Sequence, residues 1–255
     1  MDISHALILG IVEGLTEFLP ISSTGHLILA SHLLGLPETE FLKSFEISIQ
    51  LGAIMSVVAL YWRRLFLDTE VMKRIALAFL PTAVIGLTVY KSIKAMLGSE
   101  AIVLWTLLLG GIVIIVFEWL HTEKEHAFED VVKLPYRTAL YIGLFQSIAM
   151  IPGVSRSGAT ILGGLFLGIK RKAIVEFSFL LAVPTMAAAT GLDLLKNAEA
   201  FSLDQFGVLV VGFVTAFAVA IISIRFLLRF VQTQTFISFG VYRIALALIF
   251  FAFVL

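Results

Sequence analysis

Glu13-Gly14-Leu15-Thr16-Glu17-Phe18-Leu19-Pro20-Ile21-Ser22-Ser23-Thr24-Gly25-His26 packs carboxylates, hydroxyls and an imidazole into one short stretch flanked by Leu, Ile and Val. Its surroundings decide how it is read. The chain is 60% hydrophobic and 14% charged, with a mean hydropathy of +1.04. Soluble domains carry about 25% charged residues, so this composition is that of an integral membrane protein. The apolar runs are long and show no strand alternation, which makes the spans helices rather than barrel strands. Eighteen basic and eighteen acidic residues cancel, and nothing in the charge pattern points to nucleic acid. The absence of cysteine excludes disulfide and thiol chemistry. No basic segment precedes the first apolar run, so no cleavable signal peptide is expected.

A membrane span needs about 20 apolar residues. Six segments meet this, at about 44–62, 73–92, 102–120, 174–195, 205–227 and 237–255. Two more, about 3–35 and 139–168, are interrupted. Pro20 and Gly25 break the first; Pro152, Gly153 and Gly158 break the second. Non-helical backbone at membrane depth is tolerated only where protein or a wet cavity covers it. Both are therefore expected to be re-entrant helix–loop–helix hairpins.

The hairpins are related by a shift of 133 positions, which brings Gly10 onto Gly143, Glu13 onto Gln146, Ser22 onto Ser155, Thr24 onto Ser157 and Gly25 onto Gly158. Each is followed by three spans. The fold expected is thus an all-α polytopic membrane protein of six transmembrane helices and two re-entrant hairpins. It forms one membrane domain over 1–255, with repeat one at about 1–122 and repeat two at about 136–255, joined by a cytoplasmic loop at about 121–137. Three crossings per repeat invert the second relative to the first, an architecture that places binding sites at mid-membrane.

Basic residues set the orientation. Arg63, Arg64, Lys73, Arg74, Lys124, Lys133, Arg137, Lys170, Arg171, Lys172, Arg225 and Arg229 fall on one side, against Lys43, Lys91, Lys94 and Lys196 on the other. The first side is expected to be cytoplasmic. The hairpin tips are then expected to meet inside the bilayer, bringing Ser23 and His26 near Arg156.

Charges at membrane depth mark function by default. Glu13 and Glu17 share a helix face, and two carboxylates there call for a proton or a divalent metal between them. Ser22, Ser23, Thr24 and Gly25 precede a new helix, where hydroxyls and free N–H groups make an anion site or simply cap the helix. His26 is a candidate acid–base group. In the second island, Pro152-Gly153-Val154-Ser155-Arg156-Ser157-Gly158-Ala159-Thr160, Arg156 is the strongest single residue, because a guanidinium at this depth needs an anion. With Ser155, Ser157, Gly158 and Thr160 it describes a phosphate cradle, or else a structural ion pair with Glu13 or Glu17. Glu46, Glu118, Glu176 and Asp193 read as interface or packing residues, Glu46 being the nearest to serving the site. These residues describe a site for an anionic, phosphorylated amphiphile. They do not separate hydrolysis from transport by a lipid-phosphate transporter or flippase using the same anion site.

The two islands, with Phe45-Glu46…Gln50-Leu51-Gly52, Trp62-Arg63-Arg64-Leu65-Phe66 and Glu176-Phe177-Ser178-Phe179-Leu180-Leu181-Ala182-Val183-Pro184, closely resemble the bacterial undecaprenyl-diphosphate phosphatases of the bacitracin-resistance type. The resemblance runs the full length, and neither signature motif departs from the family pattern. It implies hydrolysis of the terminal phosphate of undecaprenyl diphosphate to give undecaprenyl phosphate and inorganic phosphate, recycling the lipid carrier for cell-wall synthesis. It further implies a divalent cation, Mg²⁺ or Ca²⁺, and a multi-pass protein of the bacterial inner membrane whose site opens to the outer face. The lipid diphosphate and membrane lipid are the expected partners, with a homodimer as an option. On this reading Arg156, Ser155, Ser157 and the loop N–H groups hold the diphosphate, and Glu17 with Glu13 binds the metal. Ser23 is favoured over His26 as nucleophile, with His26 and Glu17 assisting; direct attack by water activated by His26 is the alternative.

Overall fold

The computed structural model describes residues 1–89, 93, 96, 99–123, 127–196 and 205–254, with side chains apart from 192–196 and 253–254. Lys91, Lys94 and Lys124 and the side chains of Asp193 and Lys196 lie outside the described residues. Among the described residues ten α-helices follow one another: α1 (Ile3–Thr16), α2 (Ser23–Leu33), α3 (Glu40–Phe66), α4 (Thr69–Thr88), α5 (Glu100–Leu120), α6 (Tyr136–Ser147), α7 (Arg156–Phe166), α8 (Arg171–Lys196), α9 (Phe206–Phe230) and α10 (Ile237–Val254). Pairing of extended backbone among the described residues is limited to one isolated bridge, Phe128 to Ile169.

Most helix starts are written locally. Asp2 caps α1 through the His5 N–H at 3.0 Å, and Asp68 caps α4 through the N–H groups of Glu70 and Val71. Thr39 caps α3 through Leu42, and Ser99 caps α5 through Ile102. Each supplies an oxygen to an N–H that the helix itself cannot satisfy.

Among the described residues five helices are long and apolar enough to cross a membrane: α3, α4, α5, α9 and α8 over Arg171–Gly191. The sixth expected span forms α10, whose apolar described length, Ile237–Ala252, falls short of the other five. The interrupted segments form the short pairs α1–α2 and α6–α7, each with its helices packed together across a non-helical turn. Large apolar side chains stand on the outer surface, with Trp119 73% and Leu120 82% exposed. Such a surface is stable against lipid, and the protein is a multi-pass membrane protein.

Packing crosses between the two halves of the chain. α1 lies along α9, α6 along α4, and α5 along α10. Small residues allow the close approach that helix association in lipid depends on. A Cβ at Gly143 of α6 would stand 2.0 Å from the Ala78 carbonyl of α4. The main core cluster runs beneath both turns, joining Phe18 and Ile21 of the first to Ile161, Leu165, Phe177 and Phe179.

At one end of the bundle, basic residues from distant parts of the chain gather. Arg171 clasps Glu118, whose carboxylate also accepts the Phe236 N–H at 3.0 Å. Arg64 pairs with Glu176 at 3.3 Å, and Arg74 donates to the Leu134 carbonyl at 2.6 Å. Both ends of the α6–α7 pair are here: Tyr136 donates to Glu70 at 2.7 Å, and Gly168 and Lys170 bond the backbone of Phe128. A cavity of about 600 Å³ opens at this end between Arg64, Lys133, Lys172, Glu129, Asp130 and Glu176. It contains none of the expected site residues.

Candidate active site

The turn after α1 and the turn before α7 touch. Ser157 Oγ donates to the Leu19 carbonyl at 2.8 Å, Ser155 Oγ lies 3.4 Å from the same oxygen, and the two hydroxyls are 3.0 Å apart. Ser155 also caps α7 by accepting the Gly158 N–H at 3.1 Å. These serines thus bind loop to loop. Thr160 turns its hydroxyl back to the Arg156 carbonyl at 2.8 Å, within its own helix.

Glu17 joins the two halves of the site. It lies one position beyond α1 and is 7% exposed. One carboxylate oxygen accepts the Ser23 hydroxyl at 2.5 Å, and the other accepts Arg156 Nη2 at 3.0 Å. Arg156 sits at the start of α7, where Nη1 reaches the Ser178 carbonyl at 2.9 Å and the guanidinium lies 5.6 Å from the centre of the Phe18 ring. Its Nε is buried without a partner. A guanidinium so placed is held on one edge and keeps a donor for an incoming anion.

Glu13, one helical turn before Glu17, is completely buried, and neither of its carboxylate oxygens has a hydrogen-bond partner. Burial and the neighbouring Glu17 carboxylate weigh most on that group, and Glu46 on α3 adds a further negative field. Burying an unpaired carboxylate is costly, so a cation or a proton belongs here. Among the described residues no three His, Cys, Asp or Glu side chains cluster as an all-protein metal cage would require. Two buried carboxylates one helical turn apart instead leave room for a divalent cation that takes its other ligands from outside the protein.

Ser22 is the N-cap of α2, and its φ of 69° is the only positive value among the described non-glycine residues. It makes no side-chain capping bond. Strained backbone of this kind costs about 1–3 kcal/mol and collects at functional sites. Thr24 and Gly25 lie in the first turn of α2; a Cβ on Gly25 would press 2.9 Å from Leu107.

His26 takes partners that the sequence did not name. Its Nδ1 lies 2.7 Å from the Ser22 carbonyl and its Nε2 2.8 Å from the Tyr242 hydroxyl, with the two rings parallel and stacked at 5.5 Å. A carbonyl only accepts, so Nδ1 carries a hydrogen and Nε2 is directed to Tyr242. The side chain bonds neither Ser23 nor Glu17. The structure therefore unites Glu17, Ser23 and Arg156 directly, with Glu13 behind them and His26 to one side.

Sequence reasoning missed three participants. Ser178 anchors Arg156 through a backbone carbonyl, which carries no sequence signal. Tyr242 reads as an ordinary interfacial aromatic. Arg243 is 2% exposed and interrupts the apolar run of α10; a lone arginine inside a candidate span was the signal available.

The family model described as "Bacitracin resistance protein BacA" matches residues 6–249 of the chain. A Wolinella succinogenes protein named undecaprenyl-diphosphatase is 54% identical over 250 residues, covering 98% of this chain and 97% of that protein. Proteins of the same name from Persephonella marina and Aquifex aeolicus are each 53% identical. The alignment spans 100% of both chains in the first case and 98% of both in the second.

Proposed function

The chain belongs to the bacitracin resistance protein BacA family, and on that premise we propose that it is a phosphatase removing the terminal phosphate of undecaprenyl diphosphate. The products are undecaprenyl phosphate and inorganic phosphate, so the lipid carrier is recycled for cell-wall synthesis. The observation that carries the reading is Glu17, which holds the Ser23 hydroxyl with one oxygen and the Arg156 guanidinium with the other.

The chemistry follows from that arrangement. Arg156, fixed by Ser178 and Glu17, offers its unpartnered Nε–H to the diphosphate and offsets charge as phosphorus is transferred. The Ser23 Oγ attacks the terminal phosphorus while its proton passes to Glu17. The bond to the lipid phosphate breaks, and the lipid phosphate leaves. Water then cleaves the phosphoserine: its proton goes to His26, positioned by Ser22 and Tyr242, and Glu17 returns the Ser23 proton as phosphate leaves. Ser22, Thr24 and Gly25 at the N-terminus of α2, and Ser155, Ser157, Gly158 and Thr160 on the facing loop and α7, form the wall around the phosphates. Glu13 and Glu17 would hold a Mg²⁺ or Ca²⁺ ion. Such an ion supplies charge neutralisation to the phosphates.

The membrane arrangement is part of the same proposal. α1–α5 and α6–α10 are inverted repeats, α10 is the sixth span, and α1–α2 and α6–α7 are re-entrant. Support comes from the start and end of α6–α7, which lie at the same basic end of the bundle, and from turns that meet in its interior. That basic end is cytoplasmic, and the site opens to the outer face of the inner membrane.

Purified protein in detergent has no two compartments, so phosphate released there from the lipid diphosphate is hydrolysis and nothing else. A phosphoenzyme trapped by rapid quench should map to Ser23 and vanish in Ser23→Ala. Mapping to His26, or turnover retained in Ser23→Ala, would overturn the assignment of the nucleophile.

A further inference from the structure

Arg243 lies on α10, far from both broken hairpins in sequence, yet its guanidinium reaches each of them. Nη2 donates to the Gly153 carbonyl at 3.1 Å, in the second turn, and to the Thr106 carbonyl of α5 at 2.9 Å. Nη1 lies 3.4 Å from the Pro20 carbonyl, in the first turn, and Nε 3.3 Å from the Leu107 carbonyl of α5. None of the ion pairs among the described residues involves it. Every partner is a backbone carbonyl, and a buried cation held this way stiffens whatever carries those carbonyls.

Two neighbouring features share the arrangement. Thr106 donates its hydroxyl to the Pro152 carbonyl at 2.7 Å, adding a second link from α5 to the second turn. Gly110 leaves the space in which the guanidinium lies: a Cβ there would stand 2.3 Å from Nη2.

We infer that Arg243 is a positioning residue that clamps both broken loops onto α5 and so keeps Ser23 and Arg156 in register on Glu17. It touches no reacting group in this arrangement. Its positive charge, without a carboxylate beside it, also favours an anionic ligand over a neutral one at the junction of the loops. The functional meaning of the clamp rests on the phosphatase reading above; the clamp itself does not.

The test uses that independence. The chain has no native cysteine, so single reporters are clean. Ile21→Cys places a thiol in the first turn, where Ile21 is 5% exposed; Leu65→Cys places one in the same core cluster at the far end of α3, where Leu65 is 8% exposed. In the full chain in detergent, maleimide labelling of the Ile21→Cys reporter should accelerate by roughly tenfold or more when Arg243→Met is added, the scale of losing one hydrogen bond to a charged group. Labelling of Leu65→Cys should not change. Gly110→Ala keeps the arginine and its charge but fills the space it occupies, and should give the same selective acceleration. Phosphate release, measured on the cysteine-free variants, should then fall in kcat more than it rises in KM for Gly110→Ala, while Arg243→Met should suffer in both. Unchanged labelling at Ile21→Cys would overturn the clamp, as would equal acceleration at both reporters, which is general loosening. If the labelling pattern holds but no protein, the parent included, releases phosphate, the clamp stands and the phosphatase reading falls.

Discussion

The two broken hairpins have the same layout and opposite states of satisfaction. At the position 133 residues after Glu13, Gln146 donates to the hydroxyls of Thr82 and Thr185 at 3.0 Å each, and only its neutral carbonyl oxygen lacks a partner. Glu13 has no partner for either oxygen. At the two N-caps, Ser155 has φ −65° and bonds the Gly158 N–H, while Ser22 has φ 69° and makes no side-chain cap bond. The second hairpin is close to what stability alone would choose, and it presents one guanidinium. The first keeps an unpaired carboxylate and a strained backbone in a buried place. Features that cost stability persist where they are needed for something else, which supports the proposal that metal binding and proton transfer are assigned to the first hairpin.

The junction gives the largest expected effect. Arg156→Lys cannot bond Ser178 and Glu17 and still offer a planar donor to phosphate. Turnover should fall about 10²–10³-fold, the cost of one transition-state donor, read as phosphate release with the protein still monodisperse. Glu17→Gln should lose a comparable amount and also abolish the trapped phosphoenzyme, because the proton acceptor for Ser23 is gone. Near-normal turnover in either would separate the two hairpins functionally.

Glu13→Gln makes the first hairpin resemble the second. The metal requirement should rise by roughly 10- to 100-fold in half-maximal Mg²⁺. Without divalent cation the variant should be more stable than the parent by about 1–3 kcal/mol at neutral pH, since the cost of neutralising a buried carboxyl on folding is removed. Thermal unfolding with and without Mg²⁺ checks this; a destabilised variant in chelator would mean that Glu13 is already satisfied. The reverse change, Gln146→Glu, should cost about 3 kcal/mol by leaving a charge buried, with turnover per folded molecule nearly unchanged. Ser22→Gly should give the smallest effect, a gain of about 1 kcal/mol in unfolding as the positive φ is relieved.

Hydropathy and breakers made most of the fold legible. The long runs became helices near the expected limits, and Pro20, Pro152 and Gly153 fell in the two turns, whereas Gly25 and Gly158, also expected as breakers, lie in the first turns of α2 and α7. Gly153 is needed there twice over: its φ is 84°, and a Cβ would meet Thr106 Oγ1 at 2.0 Å. The sixth run forms α10, Ile237–Val254. At the site, Glu13, Glu17, Ser23 and Arg156 were visible as polar groups at membrane depth. The placement of His26 beside Tyr242 was not, since adjacency to Ser23 in the chain says nothing of which helix lies across from the ring.

What the sequence by itself determined is local or periodic: helical membrane segments, two interrupted ones 133 positions apart, and the inventory of charged groups within them. These follow from hydrogen-bond satisfaction in an apolar solvent and from the cost of burying charge, both of which are properties of a residue and its neighbours along the chain. Only the tertiary structure decided that Glu17 would bridge Ser23 and Arg156, that Ser155 and Ser157 would bind loop to loop, and that Arg243 would reach both turns. Those contacts form where helices distant in the chain approach closely enough for single atoms to meet, and that distance is set by packing among the helices rather than by any one stretch.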